Sequence, residues 1–411
     1  MPQRRVELGL RSETIRRANL SAIVRELHLS GTLSRSKLGA RTGLTRGAIR
    51  LLIGELAASG LVRETSGPAI GRPGRPSAVV RLREDGPAVL ALEISVDSLA
   101  VAVVGLGGRV IREKRINRPR EAFSVEETLA ALSGLVERMN LQARGAPSIV
   151  GVGVALAGIV RRDDGFVAMA PNLGWHDVPL GPQIAETLGT SLPVWIANEA
   201  DLGALAEHRR GAAIGADNVV YVTGEVGVGG SLIMDGRPMA GASGYSGEVG
   251  HIPLAANGVR CGCGSIGCWE TVIGERALLE RAGYPVDGGR AAIDALIRDA
   301  RFGRRRPIAA LNDVGQWLGR GIAALTNVLN PSMVVVGGLF ERVYPFIEQP
   351  LSATFSELAL APSARIVSIV PAKLGLDAPL LGAAELAFEA VLDDPAALAQ
   401  WGTHQEWRVV A

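Results

Sequence analysis

Cysteine is almost absent from this 411-residue chain: there are three, and all fall within the eight positions from 261 to 268. A disulfide-stapled secreted scaffold is thereby excluded, and such clustering in a reducing compartment points instead to metal. Aromatic residues make up 4% of the chain against 47% hydrophobic residues overall, so its core must be built mostly from alanine, valine, leucine and isoleucine. Long apolar runs are missing too. The longest, Ile149 to Val160, is broken by glycines and too short to cross a bilayer. It reads as a buried strand and the turn after it. The basic start MPQRRVELGLRSE has no apolar segment behind it, so no signal peptide and no membrane partner are expected, and the protein is expected in the cytoplasm. At ~150 residues per domain, the length implies two or three domains.

The small net charge of +2 conceals an imbalance. Residues 1–86 hold 16 Lys and Arg against 7 Asp and Glu, a net +9, and the remaining 325 residues carry a net −7. A basic segment on an acidic body implies that only the N-terminus meets a polyanion. Within it, Leu20, Ile23, Val24 and Leu27 have helical spacing and Gly31 ends the stretch. Ser34 can cap a second helix, Gly43-Leu44 makes a turn, and Thr45 can cap a third whose buried face is Ile49, Leu52, Ile53 and Leu56. This is the helix-turn-helix pattern, whose second helix enters the major groove N-terminus first. LVRET and AVVRLRE then alternate as a hairpin around SGPAIGRPGRPS, an arginine-bearing wing suited to the minor groove. The expected DNA contacts are Ser34, Lys37, Thr45, Arg46, Gly47 and Arg50, with Arg72 and Arg75 on the wing. An all-α packing module with a solvated basic face is the alternative.

From Pro87 the pattern changes to strand meanders followed by helix–strand alternation, as expected of a two-lobed α/β protein with mixed sheets. His251, Cys261, Cys263 and Cys268 have the spacing H-x9-C-x-C-x4-C, with glycines at 262, 264 and 267. Three thiolates and an imidazole make a closed tetrahedral set typical of structural zinc, leaving no position for a reactive water; unligated thiols are the alternative. Glu248 and Glu270 flank this loop, which would hold both acids in place.

The segments PNLGW (171–175), ANEADLGALAE (197–207), GASGYSGEVGHIPL (241–254), CGCGSIGCWE (261–270) and NPSMVVVGG (330–338) occur in that order. Together they resemble the ROK family of sugar kinases and sugar-responsive repressors, nearest to the xylose- and N-acetylglucosamine-type repressors. The resemblance implies a winged helix-turn-helix over residues 1–86 and an actin-like, ribonuclease-H-like ROK domain over 87–411. The first lobe is expected at about 87–200 plus the C-terminal helix, and the second at about 201–380. It also implies the same four zinc ligands, and sugar contacts at Asn172, Asn198, Glu199, Glu248, His251 and Glu270. One His251 nitrogen would then lie on zinc and the other toward the sugar.

The family's kinases carry Asp-x-Gly-Gly-Thr and Gly-Thr-Gly phosphate cradles. Here the matching segments are Glu93 to Asp97 and Glu225 to Gly227, where side chains replace glycines and carboxylates face the phosphates with no nearby lysine to offset them. The kinase's aspartate base is Glu199, one methylene longer, and is expected to bind sugar rather than abstract a proton. The chain is therefore expected to be a non-enzymatic, sugar-responsive repressor of carbohydrate genes, acting as a homodimer or dimer of dimers on a pseudo-palindromic operator. An ATP-dependent sugar kinase with a DNA-binding appendage is the alternative. Glycoside hydrolysis would need a set carboxyl separation for which the sequence offers no support. Arg304 to Arg306 are expected in a solvated loop between helices.

Overall fold

The computed structural model describes residues 12–66, 78–143, 146–161, 163–242 and 244–396. Arg72 and Arg75 of the expected wing, and Trp401 and Trp407 of the tail, lie outside the described residues.

Helix α1 (Ser12–Ser30) leads to β1 (Leu33–Ser34), α2 (Arg35–Thr42), α3 (Arg46–Ala58), β2 (Val62–Ser66) and β3 (Ala78–Leu82). The three strands form an antiparallel sheet in the order β1-β3-β2. The capping chemistry read from the sequence is in place. Ser34 Oγ accepts from Lys37 N at 3.2 Å, Thr45 Oγ1 accepts from Ala48 N at 3.3 Å, and Gly43 makes the turn with φ +70°.

The first lobe is built on β4 (Ala88–Ile94), β5 (Ser98–Gly105) and β6 (Arg109–Asn117), a meander whose second turn has Gly107 and Gly108 at positive φ. Helix α4 (Val125–Glu137) returns to β7 (Ile149–Leu156), and β11 (Val194–Asn198) joins it in parallel, giving the order β11-β7-β4-β5-β6. A separate arm of β8 (Ile159–Arg161), β9 (Phe166–Ala170) and β10 (Trp175–Val178) precedes α5 (Leu180–Thr187). Strands β4, β5 and β7 are buried along their whole length, as expected of strands covered on both faces.

Helix α6 (Glu199–Arg210) connects to the second sheet. Its strands are β12 (Val219–Gly224), β13 (Val228–Met234), β14 (Arg237–Pro238), β15 (Met333–Gly338) and β16 (Ser368–Pro371), in the order β14-β13-β12-β15-β16. Between β14 and β15 lie the cysteine loop and helices α7 (Glu270–Ile273), α8 (Glu275–Ala282), α9 (Gly289–Arg301) and α10 (Arg305–Leu329). Helices α11 (Leu339–Leu358) and α12 (Ala361–Ala364) follow β15. Arg304 is the N-cap of α10 and Arg305 and Arg306 form its first turn, which corrects the expected loop: Pro307 fits the first turn of a helix, where no amide hydrogen is needed.

The last described helix, α13 (Ala378–Asp393), returns to the first sheet. It lies so close that a Cβ on Gly153 would meet Ala383 O at 1.9 Å, and one on Gly382 would meet Leu202 O at 1.9 Å. The same helix carries the N-terminal module. Leu20, Ile23, Val24 and Leu27 of α1 share one apolar cluster with Ala387, Phe388 and Val391 of α13. Arg25 of α1 is also ion-paired with Glu389 at 2.9 Å and Asp393 at 2.6 Å.

Candidate functional site

The cysteine loop folds on its glycines unequally. Gly264 and Gly267 have φ of +93° and +76°, and a Cβ on Gly267 would lie 1.9 Å from Ala255 O. Gly262 has neither a positive φ nor a close neighbour, so the fold needs two of the three glycines singled out in the sequence. The result brings one ligand atom each from His251, Cys261, Cys263 and Cys268 within 4.8 Å of one another. Cys263 Sγ is 3.6 Å from Cys268 Sγ, and Cys261 Sγ is 3.7 Å from His251 Nδ1. Tetrahedral ligands bound at about 2.3 Å stand about 3.7 Å apart, so the four atoms fit a single metal ion. Nδ1 faces that centre, and His251 Nε2 is directed instead to Glu248, 3.9 Å from its Oε2.

Glu270, at the start of α7, reaches back across the loop. Its Oε2 accepts from Val228 N at 3.0 Å and its Oε1 lies 3.3 Å from Cys261 Sγ. A Cβ on Gly227 would meet Glu270 Oε2 at 2.7 Å and Asn172 Nδ2 at 3.8 Å. Asn172 from the first lobe and Glu270 from the second therefore converge on a glycine that leaves them room.

Asn198 caps α6, with Oδ1 accepting from Ala200 N at 2.7 Å and Nδ2 donating to Gly158 O at 2.8 Å. It lines a cavity with Gly158, Ile159, Asp201, Tyr245, Ser246 and Glu248. Asp201, whose Oδ1 accepts from Ser231 Oγ at 2.7 Å, was missed by the sequence reading. Its signal was present: it stands three residues after Asn198, on the same helix face. Glu199 goes elsewhere. Neighbouring helix positions point about 100° apart, and the Glu199 carboxyl lines a separate cavity with Glu93, Ser95, Thr223, Glu225 and Arg290. The expected sugar set is thus divided, with Glu199 apart from Asn198 and Glu248.

Carboxylates dominate that second cavity. Burial, then Glu225, Glu93 and Asp97, pushes the Glu199 carboxyl up to about 8. Burial likewise raises Glu225 to about 7, against the opposing pull of Arg290. The sequence offers no nearby lysine to offset these acids, and arginines from distant segments do so instead. Arg115 makes two hydrogen bonds of 3.1 Å to Glu93 and reaches Asp377 at 3.3 Å. Arg290 grips both oxygens of Asp97 at 3.2 Å, and Arg120 reaches the same carboxylate at 3.1 Å. None of these arginines is near its partner in sequence, so no local spacing could have announced them.

On the N-terminal module, Lys37, Arg46 and Arg50 are exposed and have no ion-pair partner among the described residues, and Gly47 leaves open space on the same face. The cations of α1 differ. Arg16, Arg17 and Arg25 are each paired with acids, of α3 or α13 among others. Where α1 ends, His28 is buried with Glu385 of α13: Nε2 lies 3.0 Å from Glu385 Oε2, and Nδ1 accepts from Gly107 N at 2.9 Å. Arg209 donates to Glu385 Oε2 at 3.0 Å, and Arg210 donates to Glu385 Oε1 and, at 2.9 Å, to Gly107 O. Burial lowers the His28 pKa, and burial pushes the Glu385 carboxyl up, but its hydrogen bond with His28 and the charges of Arg210 and Arg209 outweigh that and hold it down at about 2.

Among the described residues no helix is long and apolar enough to cross a membrane. Residues 89–390 match the ROK family. The chain is similar to the xylose repressor of Bacillus subtilis (strain 168), 27% identical over 380 residues that cover 92% of this chain and 97% of the relative. It is also similar to the glucokinase of Streptomyces coelicolor, 29% identical over 318 residues, 73% of this chain and 97% of that protein. Among solved structures, a ROK family transcriptional regulator, homolog of the E. coli MLC protein, superposes with a TM-score of 0.78 at 26% identity, over 94% of this chain and 100% of that one. A ROK family glucokinase from Streptomyces griseus, in complex with glucose and AMPPNP, gives 0.64 at 29% identity over 74% and 99%. With two lobes of this topology and a family match over most of its length, the chain belongs to the ROK family.

Proposed function

We propose that the protein is a sugar-responsive transcriptional repressor that binds DNA through residues 1–86 and a sugar through residues 87–411. The observation that carries this reading is the position of α6. Its head supplies Asn198 and Asp201 to a polar cavity, and its tail supplies Arg209 and Arg210 to the cluster that holds His28 of α1. A helix of this length spans about 18 Å as one rigid rod. Movement of its head by a bound sugar therefore moves the seat of the N-terminal module.

In this reading the module is a winged helix-turn-helix, with α3 as the recognition helix and Lys37, Arg46, Gly47 and Arg50 facing DNA, while Ser34 and Thr45 hold the helix starts. The sugar pocket takes Asn172, Asn198, Glu248, His251 and Glu270, joined by Asp201, since amides and carboxylates share hydrogen bonds with neighbouring hydroxyls. The metal is a structural zinc held by His251, Cys261, Cys263 and Cys268, which anchors the segment bearing Glu248 and Glu270. A two-fold dimer would present two α3 helices to a pseudo-palindromic operator. For release, the sugar must prefer the form that does not bind DNA, and a coupling of ~1–3 kcal/mol shifts affinity about 5–150-fold.

The kinase reading has a specific observation in its favour, the similarity to glucokinases over 73% of the chain. Against it, Glu93, Asp97 and Glu225 occupy the segments that would cradle phosphate, and the arginine partners of Glu93 and Asp97 are already engaged. The deciding experiment is fluorescence anisotropy on DNA from upstream of the protein's own gene, at stated salt, with xylose, glucose and N-acetylglucosamine. Tight binding released by one sugar is expected. No specific DNA binding, together with sugar-dependent ATP turnover, would overturn the repressor reading.

A further inference from the structure

We propose that Asp97 is a positioning residue for the sugar cleft: with Arg120, Glu275 and Arg290 it forms an ion-paired latch that holds the two lobes together without a nucleotide. The inference rests on the sugar-sensor reading for its consequence, but on geometry alone for the latch.

Asp97 stands in the β4–β5 turn and Arg120 between β6 and α4, both in the first lobe; Glu275 opens α8 and Arg290 lies in the first turn of α9, both in the second. The four charges alternate in a chain. Arg290 Nε and Nη2 donate to the two Asp97 oxygens at 3.2 Å, and Arg120 Nη2 donates to Asp97 Oδ2 and to Glu275 Oε2, each at 3.1 Å. Arg120 Nη1 closes the second link by donating to Glu275 Oε1. The contacts Arg290–Asp97 and Arg120–Glu275 each cross from one lobe to the other.

The setting favours attraction over screening. The side chains of Asp97 and Glu275 are 13% and 7% exposed, and those of Arg120 and Arg290 are 20% and 27%. Two positive and two negative charges balance, and both crossing contacts are two-pronged, the geometry in which arginine–carboxylate pairs are strongest. Gly289, at φ +54°, brings the α9 backbone against Arg120, where a Cβ would stand 3.3 Å from the guanidinium carbon. Burial pushes the Asp97 carboxyl up, but Arg290 and Arg120 outweigh it and hold it below the usual range.

The consequence for sugar follows from where the candidate contacts lie. Asn172 and Asn198 belong to first-lobe elements, and Glu248, His251 and Glu270 to second-lobe elements. A ligand that touches both sets must close the lobes, and a latch that has already closed them removes that cost from the binding equilibrium. In the sequence, Asp97 falls where the related kinases have the threonine of a phosphate cradle. Asp97 thus places, at that position of the cradle, the carboxylate that Arg290 of the second lobe grips.

The test uses full-length, zinc-loaded protein with Asp97→Asn, Arg290→Gln and the double variant. Small-angle X-ray scattering without sugar reads lobe closure, and titration calorimetry with xylose, glucose and N-acetylglucosamine reads affinity. Each single variant is expected to show a larger radius of gyration than the wild type and roughly tenfold weaker binding of whichever sugar binds. The double variant should be no worse than either single one, because both break the same link. Unchanged scattering in both single variants overturns the role of Asp97 in the latch, as does an expansion in Asp97→Asn that Arg290→Gln does not reproduce. If no sugar binds even the wild type, the sensor reading fails while the scattering still decides the latch.

Discussion

Glu199 shows how much one side chain's environment decides. Its folded-state pKa of about 8 lies well above that of an exposed carboxyl, because burial and the acids Glu225, Glu93 and Asp97 oppose its charge. A raised carboxyl pKa means that the folded chain holds its proton longer than the unfolded chain. The associated stability is therefore complete below about pH 4.5 and is lost as pH rises to about 8. Glu199→Gln keeps the shape and removes the titration. At pH 8 the variant should be more stable than the wild type by ~1–3 kcal/mol, and at pH 5 within ~0.5 kcal/mol. Thermal melts across that range check it. The cluster of His251 and the three cysteines, which could hold a metal ion, yields a second prediction. The intact protein should carry one zinc per chain by elemental analysis, and Cys268→Ser or a chelator should lower Tm by roughly 5 °C or more. A melt indifferent to chelation would leave the cluster as plain thiols.

At the scale of elements, the proposed coupling runs through helices. Helix α3 turns Arg46 and Arg50 outward because Ile49, Leu52, Ile53 and Leu56 hold its other face in the core. Replacing either arginine with alanine should weaken operator binding about tenfold or more and leave sugar affinity unchanged, measured by anisotropy and calorimetry on the same protein. If the arginine contacts a phosphate, the salt slope should also fall by about 1. The contact between α6, α13 and α1 depends on Glu385, which is 1% exposed and shared by His28, Arg209 and Arg210. Glu385→Gln takes the carboxylate from the part-buried Arg210 and leaves Arg209 only Glu389, and should cost about 3–5 kcal/mol of stability. In the fraction that stays folded, sugar-induced release of DNA should shrink to less than about twofold. Retained release would mean that the signal does not pass through this helix contact.

At the scale of the molecule, the N-terminal module is seated on the body by an apolar cluster with His28 at its edge. His28 accepts from Gly107 N through Nδ1, which a protonated ring could not do. Its folded-state pKa is lowered by burial, so the unfolded chain takes up a proton first and stability is lost as pH falls below about 6.5. Limited proteolysis at the module boundary should accelerate between pH 7 and pH 5.5, and His28→Gln should flatten that dependence.

Local signals determined a great deal here. The helix starts at Ser34 and Thr45, the buried stripes of α1 and α3, the glycine turn after β5 and the gathering of His251 with the three cysteines were all legible, because each lies within a short stretch of chain. The tertiary structure decided the rest. That Glu199 leaves Asn198 for a second cavity is a matter of helix orientation against two lobes. That Arg115, Arg120 and Arg290 neutralise the acids, and that Glu385 meets His28 across more than 350 positions, depends on which distant segments the packing brings together. Charge pairs of that kind carry no periodicity; the sequence holds the partners, and only the fold chooses them.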